Sequence, residues 1–62
     1  MVSAAKIALF LEELNFPADK KQIIDYAREN NAPEDVLDIL QKMPEGKYYS
    51  MAGVLDSISK VA

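Results

Sequence analysis

The side chains able to do chemistry in this chain are carboxylates, lysines, tyrosines and serines. Asp and Glu together number 10, Lys and Arg 7 and Tyr 3, while His and Cys are both absent. Without imidazole or thiolate, zinc, copper, haem and iron–sulfur clusters lose their usual donors. The commonest general base and the Ser–His and Cys–His nucleophiles are lost with them. Carboxylates could still hold a hard cation, but their spacing is poor. Glu12 and Glu13 are adjacent and would point about 100° apart on a helix. Asp35 and Asp38 suit one helix face, yet no third oxygen ligand stands near them in sequence, and calcium takes about six or more. The expectation is no catalytic residue, no metal ligand and no cofactor.

Three places remain where residue types hint at binding. Lys20 and Lys21 fall in the first turn of a helix, where positive charge is mildly unfavourable. They could converge with free first-turn amides on a phosphate or a partner's carboxylate, or they could be a solvated pair offset by Asp19. Leu9 falls on the polar side of the first helical segment, between Glu12 and the edge formed by Lys6 and Glu13. With Ala5 beside it, Leu9 is either ordinary surface or the seed of a contact with another chain. Tyr49 lies just before the last helix. It could pair there with Val54 as a hydrophobic staple, or serve as an aromatic handle for a partner. Leu9, Tyr49, Lys20 and Lys21 are the candidate partner-binding residues.

The elements that position these residues can be read from periodicity and caps. The segment SAAKIALFLEEL carries Ile7, Phe10, Leu11 and Leu14 at helical spacing, with Ser3 as N-cap. Pro17 ends it, because the residue before a proline leaves helical geometry, and Phe16 folds back on the core. Asp19 with Gln22 has capping-box spacing and opens a second helix, with Ile23, Ile24, Tyr26 and Ala27 inward and Asn30 and Asn31 at its end. A third helix starts within Asn31-Ala32-Pro33-Glu34, capped either by Asn31 or by Ala32 with Pro33 in the first helical position. Its apolar residues Val36, Leu37, Ile39, Leu40 and Met43 place it at the centre of the bundle. The fourth runs from Ser50 to about Lys60, with Met51, Val54, Leu55, Ile58 and Val61 as its stripe. Between them, Pro44-Glu45-Gly46-Lys47 is turn chemistry, followed by an extended run in which Tyr48 points inward.

The echo of Val36-Leu37-Asp38 in Val54-Leu55-Asp56 is read as a shared amphipathic alphabet rather than a duplication, since repeat arrays need three or more units.

The order FPADKKQIIDYARENNAPEDVLDILQKMPEGKYYS resembles the bacterial family of domains of unknown function numbered 2795. The matching positions are Phe16-Pro17-Ala18, Ala27-Arg28-Glu29-Asn30, Ala32-Pro33-Glu34-Asp35-Val36, Leu40, Pro44, and Tyr48 with Ser50. The resemblance covers nearly the whole chain and is specific as an ordered set. Lys20-Lys21 depart from it, standing where acidic residues are more usual. It implies a small helical domain, bacterial and intracellular, and brings no activity or ligand residue with it.

Length and charge bound the rest. Sixty-two residues, half of them hydrophobic, make one domain over positions 1–62, near the lower size at which a chain folds on its own core. The longest uninterrupted apolar run, Ile7 to Leu11, is far below the roughly 18–20 residues that span a bilayer, and no leader pattern is evident. A soluble cytoplasmic protein without membrane contact is expected.

The second and third helices invite a helix-turn-helix reading. Against it, the would-be recognition helix presents Glu34, Asp35 and Asp38 with only Lys42 opposing, and the chain as a whole carries −3. Duplex DNA, with one negative charge per about 1.7 Å, would repel such a helix. The expected fold is all-α, a compact bundle of four short helices. The expected function is a non-enzymatic protein–protein interaction or regulatory module, acting on a protein partner or by self-association. A nucleic-acid-associated regulator using Lys20, Lys21, Arg28 and Lys47 is the alternative.

Overall fold

A computed structural model describes residues 2–61. The first and last positions of the expected 1–62 domain lie outside the described residues. Four helices appear: α1 (Ala4–Phe10), α2 (Lys20–Glu29), α3 (Glu34–Gln41) and α4 (Met51–Val61). Two short strands, β1 (Ala18–Asp19) and β2 (Lys47–Tyr48), pair antiparallel with Ala18 opposite Tyr48 and Asp19 opposite Lys47. The all-α expectation is thereby corrected to a helical fold carrying a two-residue ladder. The extended run before α4 was legible, but its partner was not. Residues 18–19 double as the entry to α2, and their cap chemistry masks any strand signal.

Four of the helix ends follow from local chemistry. The Ser3 hydroxyl accepts from the Lys6 amide at 3.1 Å and starts α1. At α2 the capping box is complete: Asp19 accepts from the Gln22 amide at 2.8 Å, and Gln22 accepts from the Asp19 amide at 2.9 Å. Its far end is a Schellman motif. Asn31 takes φ 63°, its amide reaches the Arg28 carbonyl, and the Ala32 amide reaches that of Ala27, both at 3.0 Å. The Ser50 hydroxyl accepts from the Gly53 amide at 3.2 Å and opens α4.

Two ends differ from expectation. The cap of α3 is Pro33, which has no side chain able to accept from the first-turn amides, so neither Asn31 nor Ala32 caps it. The Val36 amide donates instead to Asp35 Oδ1 at 2.8 Å. Asn31 is already committed to closing α2, and Glu34 and Asp35 supply favourable negative charge in the first turn instead. Helix α1 stops at Phe10 instead of continuing to Leu14. Residues 11–14 form a turn in which the Leu14 amide bonds the Leu11 carbonyl and Glu13 takes φ 66°. The Tyr26 hydroxyl donates to the Glu12 carbonyl, satisfying a backbone group the shortened helix leaves free.

The core contains Ile7 and Leu11 of the first segment, Ala18, Ile23 and Ala27, Val36, Leu40 and Met43, Tyr48, and Val54 and Ile58. Phe16 packs half-buried against it, as the fold-back reading required, and the Phe16–Pro17 peptide is cis. The main helix contacts run α2–α3–α4–α1, so α3 shares the inner position with α4. Neighbouring α2 and α3 are joined by residues 30–33. Such adjacency belongs to any αα-hairpin and does not by itself make a helix-turn-helix. In the echoed triplets, Val36 and Val54 are both fully buried and Asp38 and Asp56 both exposed, as two amphipathic helices require.

Candidate functional site: a charged cleft and two exposed apolar side chains

The adjacent tyrosines separate as an extended backbone dictates. Tyr48 is buried, and its hydroxyl donates to the Pro44 carbonyl at 2.6 Å, which ties the turn to the core. Tyr49 faces out and is 73% exposed, whereas Val54 is fully enclosed. A staple between them therefore covers little of the Tyr49 ring. Leu9 is 63% exposed on α1, and these two are the large hydrophobic side chains that the core leaves outside among the described residues.

In the Lys20–Lys21 pair the two lysines differ in partner and in exposure. The Lys20 amide bonds the Gly46 carbonyl and the Gln22 amide bonds Asp19, so these first-turn donors are engaged within the chain. The two ammonium groups go to different carboxylates. Lys20 Nζ lies 3.7 Å from Glu45 Oε1, across the ladder, and Lys21 Nζ lies 3.0 Å from Asp25 Oδ2, one turn along α2. Asp25 also faces Arg28 at 3.6 Å. Lys20 is far from solvated: its side chain is 17% exposed, against 85% for Lys21.

Both lysines nevertheless line one cleft of about 300 Å³, together with Ile24, Asp25, Arg28 and Glu45, and with Gln41 contributed by α3. The Lys21–Asp25 and Asp25–Arg28 pairs are ordinary helix-surface spacings and legible in sequence. Glu45 is not, because its approach to Lys20 depends on the ladder. Gln41 faces the cleft through the packing of α3 on α2, which no local signal announces. Elsewhere Lys6 of α1 meets Asp35 of α3 at 3.4 Å. Among the described residues no three carboxylates gather as metal ligands, and no helix is long and apolar enough to cross a membrane.

Architecture and surface together define a small helical domain with, among the described residues, a charged cleft and two projecting apolar side chains. The chain belongs to the family described as Protein of unknown function (DUF2795), which it matches over residues 2–55. That span contains Leu9, the whole cleft and Tyr49. No curated protein and no solved structure matches the chain.

Proposed function

We propose that this domain is a non-enzymatic, cytoplasmic interaction module that binds a protein partner or a second copy of itself. The observation that carries the reading is the exposure of Leu9 and Tyr49 on a fold that otherwise directs its large apolar side chains inward or to half-burial. A leucine and a tyrosine left in water each forgo roughly 1.5–3 kcal/mol of burial, which a partner surface recovers. Aromatic side chains are enriched at the centres of such interfaces. The absence of His and Cys supports the non-enzymatic half of the reading.

The nucleic-acid alternative gains nothing from the cation geometry. Of its four proposed phosphate contacts, Lys20, Lys21 and Arg28 each stand within 4 Å of a carboxylate. A polyanion would have to displace those partners on a chain of net charge −3.

The test is a comparison of the tagged wild-type domain with the double variant Leu9→Lys, Tyr49→Ala. Wild type is expected to retain a partner from cytosol or to sediment above the monomer. The variant is expected to lose this while melting at the same temperature. Equal behaviour of both proteins removes the reading. Duplex DNA binding that falls steeply between two salt concentrations replaces it with the nucleic-acid alternative.

A further inference from the structure

The cleft between α2, α3 and the Glu45 turn carries a charge pattern opposite to that of the chain. Its lining holds Lys20, Lys21 and Arg28 against Asp25 and Glu45, a balance of +3 − 2 = +1. The chain totals −3, so the remainder carries −3 − 1 = −4. A cationic concavity on an acidic body draws anions to one place.

Lys20 is the group around which this place is organised. Its stem is packed away, yet its ammonium reaches the cleft and, among the described residues, makes no hydrogen bond. A charge with three donors and no acceptor is poised for a ligand oxygen. Glu45 stands 3.7 Å away, beyond hydrogen-bond distance, on a side chain 88% exposed. A contact of that length to so exposed a carboxylate is weak, so an arriving carboxylate displaces Glu45 at little cost. Arg28 is shared with Asp25 through one nitrogen at 3.6 Å, which leaves guanidinium donors for a second oxygen. Ile24, half-buried between these cations, offers an apolar floor, and Gln41 adds an amide on the opposite wall.

We propose that this cleft binds a short acidic peptide segment, two carboxylates flanking an aliphatic side chain, with Lys20 and Arg28 receiving the carboxylates, Ile24 the aliphatic group, and Glu45 acting as an internal occupant that the ligand displaces. The volume, about 300 Å³, is at the small end of ligand pockets, so the aliphatic side chain fills it while the two carboxylates meet the cations at its rim. The surrounding negative charge favours a peptide with few charges over a long phosphate backbone. The inference rests on the interaction reading above but names a different surface. The test below reads the cleft and leaves Leu9 and Tyr49 intact, so the two can fail separately.

The experiment is a nuclear magnetic resonance titration of the full ¹⁵N-labelled chain. Its probe is the blocked peptide acetyl-Ser-Glu-Leu-Glu-Ser-amide, and its controls are the same peptide with lysines for glutamates and inorganic phosphate at equal ionic strength. Saturable shifts are expected at the amides of Lys20, Ile24, Arg28 and Gln41 with the acidic peptide. Replacing Lys20→Met should weaken binding about tenfold without lowering the melting temperature, and Glu45→Gln should tighten it about threefold. The Glu45 variant keeps the proposal testable even if loss of Lys20 disturbs the fold. Equal shifts with the lysine peptide, no saturation, or weaker binding by Glu45→Gln would overturn it. Equal occupancy by phosphate alone would make the cleft a free-anion site and overturn the peptide assignment.

Discussion

Helices α1 and α2 carry similar apolar periodicity but end by different physics. Helix α2 is closed at both termini by its own neighbours in sequence: Asp19 and Gln22 at the start, Asn31 in a left-handed conformation at the finish. Helix α1 has a comparable start at Ser3 but no local stop before Pro17. Its end at Phe10 coincides with contacts made from a distance, the burial of Leu11 and the Tyr26 hydroxyl on the Glu12 carbonyl. Where a helix end is written in caps, sequence reading finds it within a residue. Where the end is imposed by packing, periodicity overruns.

The comparison breaks most severely at Leu11, which is fully buried at the point where α1 gives way to the turn. Leu11→Ala should lower the free energy of unfolding by about 2–5 kcal/mol in chemical denaturation, a large share of what a chain this short possesses. A loss below about 1 kcal/mol would mean that packing does not set the end of α1.

A smaller effect is expected from removing a local stop. Asp19→Ala deletes one half of the capping box and should cost about 0.5–2 kcal/mol, with amide exchange in the first turn of α2 rising before exchange elsewhere. Unchanged exchange there would show that the ladder, not the cap, holds that terminus.

The smallest and most diagnostic pair uses the two non-glycine residues at positive φ, Glu13 at 66° and Asn31 at 63°. Left-handed backbone is costly for glutamate and tolerated by asparagine. Glu13→Gly should therefore raise the melting temperature, with a gain of about 0.5–1 kcal/mol, while Asn31→Gly gains under about 0.5 kcal/mol. Equal gains would remove the distinction between an imposed end and an encoded one.

The same division explains what sequence made legible. Ser3, Asp19, Gln22, Asn31 and Ser50 announce themselves through short-range hydrogen bonds, and the inward placement of Tyr48 follows from alternation. Four helices and most of the core were within reach on those grounds. The ladder was not, because two residues carry no periodicity. Nor was the Pro33 start of α3, where Asn31 could serve one helix only and served the one before. For the surface, the exposure of Leu9 follows from helical phase, while that of Tyr49 is one of two readings, the other being a staple with Val54. The Lys20–Lys21 pair was noticed, but its geometry was hidden. Lys20 meets Glu45 beside the ladder, and that meeting depends on tertiary structure.

One consequence of the ladder extends beyond the fold. By joining residues 18–19 to 47–48 it closes the stretch of chain that contains α2 and α3 into a ring. Lys20 follows one side of the join and Glu45 precedes the other, with the Lys20 amide on the Gly46 carbonyl extending it. A clasp of so few bonds yields before the helices inside it do. Lys20 and Glu45 flank this join, so the edge of the cleft they form is carried by the same few bonds that close the ring.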